Sequence, residues 1–177
     1  NFLMSLSGGL LAGYVISKGD PFWTYSSGLA GIICASAGND LYHPIQSMII
    51  GMIGVVIAYK MHYWVERKFK IDDAVGAVAV HGYAGVVGLI ICGFVLWGYP
   101  SSGYDGLGYA AINPVGMIIG AFIMFVVLGF VPGYVIAKIL HAAGKLRIPR
   151  EVELAGLDYN IMEAASKDEK AVSSANR

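Results

Sequence analysis

A histidine inside a long uncharged stretch is the group in this chain whose type and setting most suggest chemistry. His81 lies between Ala74 and Leu96, a run without a single charged side chain. At ~1.5 Å of rise per residue, a helix of that length crosses a hydrocarbon core of ~30 Å. Counted from Asp73, the imidazole sits eight residues in, roughly 12 Å along the axis and therefore near mid-bilayer. Its neighbours at helical spacing, positions 74, 77, 85, 88 and 92, are Ala, Ala, Gly, Gly and Cys, and the opposite side carries Val80, Tyr83, Val87 and Leu89. Small residues around a polar ring let another helix come close or a narrow lumen open. An ionisable group inside a span is a functional-site candidate by default, and a histidine that bonds across a helix interface is the structural alternative.

Three chemistries suit such an imidazole, and they demand different partners. A metal or haem site needs further ligands at matching depth on facing helices. His43 falls in a polar break, His62 near the end of its apolar segment and His141 at the end of the last one. None shares the depth of His81 and no Cys/His cluster exists, so no metal and no cofactor is expected. A hydrolase needs a nucleophile and a base within hydrogen-bond reach. No carboxylate lies inside an apolar segment, and Ser26, Ser27 and Ser36 form no recognisable motif, so no enzyme is expected. A transport pathway needs only a titratable group on a face of small residues, and that is the reading these residues favour. Moving an ion from water into low dielectric costs on the order of 20 kcal/mol in the idealised limit, so pathways for permanent ions supply rings of charge or unwound carbonyls. Neither is visible here. A lumen walled by Leu, Ile, Val and Gly with one imidazole suits a small molecule that crosses uncharged, its proton handled by the ring.

The elements that must position this histidine follow from composition. The chain has 177 residues, 56% hydrophobic and 14% charged, with a mean hydropathy of +0.64, too apolar for an ordinary soluble domain. An all-α integral membrane protein, a polytopic helical bundle within the lipid bilayer, is expected. Twelve basic and twelve acidic residues leave no net charge, so no nucleic-acid partner is implied. Cys34 and Cys92 lie in apolar segments as small hydrophobes with no evident disulfide. The chain opens at Asn1 with neither an initiator methionine nor a basic region leading a short apolar run. No signal peptide is expected, and the chain is expected to start partway through a longer one.

Five transmembrane segments are predicted, at about 2–17, 22–38, 44–63, 74–96 and 114–140, within a membrane region 1–149. Lys18 to Pro21 makes a turn, Pro44 occupies the first turn of the third segment, and Tyr99 to Asn113 is a loop rich in Gly, Ser and Tyr. Gly116 and Gly120 are spaced for close helix packing, and Pro132-Gly133 predicts a kink. Lys18 falls in the first connection, Lys60, Arg67, Lys68 and Lys70 around the third, and Lys138, Lys145, Arg147, Arg150, Lys167, Lys170 and Arg177 at or beyond the last helix. All the basic residues therefore share one side of an alternating topology. Asp40 and Asp105 are on the other. Positive charge collects inside, which predicts a cytoplasmic C-terminus and a cytoplasmic tail, 150–177, disordered from Ala164 onward.

Ammonia is a molecule of the kind this pathway suits, and the residues carry a specific resemblance. KIDDAVGAVAVHGYAGVVG, residues 70–88, resembles the penultimate pore-helix signature of the Amt/Mep/Rh family of ammonium transporters, close to K-x-D-D-P-x-x-x-x-x-V-H-G-x-x-G-x-x-G. Asn1 resembles the asparagine that opens that family's seventh helix. Ser26-Ser27-Gly28-Leu29-Ala30-Gly31 resembles its eighth-helix motif, and Arg147-Ile148-Pro149 through Gly156-Leu157-Asp158 its cytoplasmic C-terminal segment. The Val-His-Gly-x-x-Gly form is more like the Amt branch than the Rh branch.

The resemblance implies helices seven to eleven of an eleven-helix, multi-pass transporter of the plasma or inner membrane. Such a protein would be a homotrimer with one pore per subunit, carrying ammonium or ammonia, with methylammonium as analogue. His81 matches the second of two lumen histidines, and Leu29, Ala77 and Ser26 match or adjoin lumen-wall positions that packing would explain equally well. Asp73 matches the acidic residue before the pore helix, read here as a structural helix cap that meets the helix dipole favourably. Ala74 stands where the family has proline, which loosens the helix start and leaves the register of His81 intact. Asp158-Tyr159-Asn160-Ile161 lacks the His-Gly-Glu that often follows Gly-Leu-Asp, which counts against a PII-type regulator and not against transport. The alternative within the same fold is an ammonium sensor or binding module, which would need a signalling domain larger than residues 150–177, or a piece with no activity alone.

Overall fold

The computed structural model describes residues 1–101 and 110–156. Asp105 and everything from Leu157 on, including Asp158 to Ile161, the basic residues Lys167, Lys170 and Arg177 and the expected disorder, lie outside the described residues. The first helix, α1 (Phe2–Ser17), stops at Lys18, which takes a left-handed φ of 57°. Asp20 Oδ1 accepts from the Trp23 amide at 2.9 Å, and Pro21 fills the first turn. This cap starts α2 (Pro21–Ala35) just ahead of the predicted position 22, and a 3₁₀ turn, Ser36–Gly38, closes it.

At the next start, His43 Nδ1 accepts from the Ile45 amide at 3.3 Å and Gln46 Oε1 accepts from the His43 amide at 2.9 Å. The helix they open, α3 (Pro44–Phe69), runs past the predicted end at 63. Glu66, Arg67 and Lys68 are good helix formers, and the two cations meet the negative end of the helix dipole. Lys70, with φ 56°, ends it.

The helix carrying His81, α4 (Val78–Val95), begins later than the predicted residue 74. Ala74 and Val75 form a turn instead, and Gly76 takes φ 66°, a conformation that costs glycine little. Its opening stretch, Val78–Tyr83, is π-helical, and Ala84–Val95 is α-helical. The next helix, α5 (Pro114–Phe122), starts where Asn113 Oδ1 accepts from the Gly116 amide at 2.7 Å.

Residues Asn1–Gly129 form one compact unit. Within it α1 packs on α2 and α3, α2 on α3 and α4, and α4 on α5. In lipid such association depends on close approach of backbones. A Cβ at Gly51 of α3, for instance, would stand 2.7 Å from the Ser5 carbonyl oxygen of α1. The Gly116/Gly120 pair behaves otherwise: the nearest atoms to a Cβ at Gly116 would be those of the Asn113 side chain at 3.3–3.6 Å, and one at Gly120 would meet nothing within 4 Å. Alternation of the helices shows at their ends. Asn1 Nδ2 donates to the carbonyls of Asn39 at 2.7 Å and Tyr42 at 2.6 Å, while Trp23 Nε1, at the start of α2, donates to the Tyr63 hydroxyl near the end of α3 at 3.0 Å. Small residues, among them Ala30, Cys34, Val55, Ala58, Ala84 and Cys92, fill the interior together with the rings of Trp23 and Tyr42; Leu3, Leu11, Ile49, Ile53 and Phe94 are exposed. That distribution suits apolar surroundings.

Residues Phe130–Arg177 form a second unit. In it the rings of Phe130 and Tyr134 stack at 5.8 Å on α6 (Val131–Ala142), and Lys138 Nζ lies 5.4 Å from the Tyr134 ring centre. The Arg147 guanidinium donates to both carboxylate oxygens of Glu153, at 2.6 and 2.8 Å, bracing the short α7 (Arg150–Ala155).

Three helical runs, Pro44–Phe69, Val78–Val95 and Pro114–Ala142, are long and apolar enough to cross a membrane, and Phe2–Ser17 is apolar but shorter. The last extends slightly beyond the predicted residue 140. Among the described residues the only β pairing is an isolated bridge between Pro100 and Ala111. The fold is an all-α membrane bundle.

Candidate functional site

His81 sits in the π-helical opening of α4, where consecutive residues are divided between two environments. Ala79 and Val80 are buried against the bundle, with 0% and 4% of their surface accessible, and His81 is exposed with no hydrogen-bond partner among the described residues. A π turn is rare and is frequently found at functional sites, where the wider turn re-aims side chains relative to the helix that follows; a second π-helical stretch, Ile123–Phe130, lies on the last of the three long runs. The widening divides the small-residue face expected from uniform helical spacing. Gly88 is buried against the Cys34 backbone of α2, and Cys92 is buried with its thiol donating to the Ala37 carbonyl of the 3₁₀ turn at 3.5 Å; Gly85 faces Phe125 and Ile33; Ala77 and His81 stay exposed; Ala74 lies before the helix.

The other residues expected at the site come from α2. Leu29 is exposed, Ser26 is half-buried, and the adjacent Ser27 is buried against Gly13 with its hydroxyl unpartnered. Since α2 packs on the π-helical stretch, these residues and His81 stand on neighbouring elements. Two apolar grooves flank α4 and His81 lines neither. One, of about 430 Å³, lies between α3 and α4 with Ile49, Ile53, Val87 and Ile91 in its wall, and the other, of about 370 Å³, is walled by Met61, Tyr83, Val86 and Phe125 among others.

Asp73 is not adjacent to the helix it serves. From beyond the turn at Gly76 its Oδ1 accepts from the Val78 amide at 3.1 Å and its Oδ2 from the Ala79 amide at 2.9 Å. Two amides with no partner inside the helix are thereby satisfied by a negative charge at the positive end of the dipole. Beside this carboxylate stands a cluster that sequence reasoning missed: Trp23, Tyr59, His62 and Tyr63, whose rings meet edge to face or tilted at 4.9–6.1 Å. The spacing of 59, 62 and 63 on one helix was an available signal. That Trp23 from α2 completes the cluster was not.

At the opposite end, Asn1 holds the α2–α3 connection as described, and Ser47 Oγ donates to Asn39 Oδ1 at 3.1 Å. Tyr42 in this connection is 4% exposed and its hydroxyl has no hydrogen-bond partner. Burial holds its phenol well above the ordinary tyrosine range, and the neighbouring Cys92 and Cys34 add to the effect.

Residues 3–167 match the Ammonium Transporter Family. The chain is similar to the ammonium transporter Amt1 of Methanocaldococcus jannaschii, with 32% identity across 94% of this chain and 41% of that protein. It is similar to Amt2 of the same organism, with 36% identity across 88% of this chain and 35% of that one. The ammonium transporter of Bacillus subtilis is 32% identical across 88% of this chain and 39% of its own length. The chain thus spans about two fifths of the length of the curated relatives it matches. No solved structure matches it.

Proposed function

This chain belongs to the ammonium transporter family, and on that premise we propose that it supplies the C-terminal part of an ammonium-conducting pore in which His81 is the polar group. In this reading ammonium gives up a proton near the outer mouth, ammonia passes along an apolar lumen, and His81, with a second imidazole from the remainder of the transporter, handles the proton. One observation carries the proposal. An imidazole stands exposed on an apolar bundle, without a partner, at a π-helical turn whose preceding residues are packed inward. A charged ion crossing the same lumen would face a desolvation cost that nothing here offsets, whereas neutral ammonia would not.

The assembly we propose has five spanning helices. α1 and α2 cross beside the three longer runs because their small residues pack against them, with the basic ends cytoplasmic. Three copies would form a trimer in the plasma or inner membrane. Leu29, Ala77 and Ser26 would line the lumen wall near His81. Asp73 would serve it from outside the lumen, as the cap of its helix.

Replacing His81 by Ala in the intact transporter tests this reading. Methylammonium uptake is expected to fall about tenfold or more, the cost of losing one well-placed proton-transfer group. Uptake and selectivity unchanged from the parent protein would overturn it.

A further inference from the structure

The ring of His62 is gripped on two sides. It meets Trp23 edge to face, centroids 5.2 Å apart at 78°, and Tyr63 at 5.0 Å and 84°. Trp23 is itself fixed, being 2% exposed, with its indole donating to the Tyr63 hydroxyl at 3.0 Å and its amide to Asp20 at 2.9 Å. With these faces filled, His62 Nδ1 is buried without a hydrogen-bond partner and stands 3.5 Å from Asp73 Oδ2, both side chains being only 11% exposed. The same Oδ2 accepts from the Ala79 amide at 2.9 Å, and Oδ1 accepts from Val78 at 3.1 Å. A ring anchored by α2 and α3 thus faces the carboxylate that holds the first turn of α4, and His81 follows two residues after Ala79.

We propose that His62 is a positioning residue for transport: its Nδ1–H steers the Asp73 carboxylate, and through it the π-helical turn that presents His81. The inference rests on the reading of His81 as a pore residue. Asp73 alone can satisfy the two amides, so His62 adds nothing to the count of capped groups. What it adds is a fixed direction for the carboxylate, which otherwise hangs on a connection bounded by two residues of positive φ, Lys70 and Gly76. Closing 3.5 Å to a hydrogen bond needs a shift of only about half an ångström. The effect is on rate, because displacing a reacting group by ~1 Å can cost ~10²-fold.

The test is a cycle of variants in the intact transporter, His62→Leu, His62→Asn, Asp73→Asn and the pair His62→Leu with Asp73→Asn, read as methylammonium uptake per transporter in the membrane. His62→Leu is expected to lower maximal uptake about tenfold with half-saturation unmoved, and to add nothing once Asp73 is already replaced, the signature of residues acting through one contact. His62→Asn, whose amide nitrogen reaches as far as Nδ1, is expected to restore uptake to within about twofold of the parent. Wild-type uptake in His62→Leu, an Asn variant as slow as the Leu variant, or additive losses would each overturn the proposal. Should the Leu variant fail to reach the membrane, His62→Gln replaces it: its longer amide overshoots the carboxylate, so Gln is expected slow and Asn fast, and equal rates would overturn the proposal. His81→Ala is measured alongside. Normal uptake there fells the pore reading and this inference with it, whereas impaired uptake there with additive losses at His62 and Asp73 fells the inference alone.

Discussion

Gly88 of α4 rests directly on the backbone carbonyl of Cys34 in α2, so that any Cβ at position 88 would overlap the oxygen. Both are buried, and neither backbone can yield without separating the two helices. Gly88→Ala gains up to ~1 kcal/mol of helix propensity, yet a net loss of about 1–3 kcal/mol is expected from overpacking. Gly120→Ala is the control, with open space around it, and its expected effect is neutral or stabilising. Thermal unfolding in detergent checks both, and equal behaviour of the two variants would refute close contact between α2 and α4.

Removing the carboxylate at Asp73 exposes what it holds. Asp73→Ala leaves the Val78 and Ala79 amides without their acceptors, at a cost of about 1–2 kcal/mol for loss of a helix cap. Asp73→Asn keeps one acceptor oxygen and loses less. Hydrogen exchange at the Val78 and Ala79 amides is expected to accelerate in the Ala variant while exchange across Ala84–Val95 is unaltered. Protection retained at both amides would show that the carboxylate is not their partner.

Helix starts were legible wherever the cap is local. Asp20-Pro21, His43-Pro44 and Asn113-Pro114 each place an acceptor before a proline that fits the first turn, and each starts a helix within a residue of the predicted position. The start of α4 was not legible, because it depends on a positive φ at Gly76 and on a carboxylate reaching five and six residues forward. The π-helical stretch left no trace in an apolar pattern, so uniform spacing put His81, Gly88 and Cys92 on one face that the structure divides. The depth of His62 along its helix says nothing of what surrounds its ring. Its partners come from Trp23, which is 40 positions from Tyr63, and from Asp73 beyond the turn, a convergence that only packing creates. What remained legible was the family, since its letters survive in the sequence whatever the local geometry.

Trp23 and Tyr63 offer a test of the cluster behind Asp73. Tyr63→Phe keeps the ring and removes the hydroxyl that accepts from a nearly buried indole. The Trp23 N–H is then left unsatisfied, which costs about 1–3 kcal/mol. Tyr59→Phe, which removes a hydroxyl that does not pair with that indole, serves as comparison. Tyr63→Phe is expected to lower the unfolding temperature more than Tyr59→Phe, and the reverse order would place the indole's partner elsewhere.

The last prediction concerns alkaline pH and Tyr42. In an unfolded chain a tyrosine ionises near pH 10, while in the folded protein burial first, and then Cys92 and Cys34, raise the phenol far above that. Above pH ~10 the folded state keeps a proton that the unfolded state gives up, so stability falls as pH rises through that range, by at most ~1.4 kcal/mol per pH unit for one group. Below it both states are protonated, and this contribution is fully present and constant. Tyr42→Phe removes this component of the alkaline decline. Because the lost hydroxyl has no hydrogen-bond partner, the variant is also expected to be at least as stable as the parent at neutral pH. Unfolding followed from pH 7 to 11 in both proteins checks the pair of outcomes, and parallel alkaline declines would mean that Tyr42 meets water in the folded state.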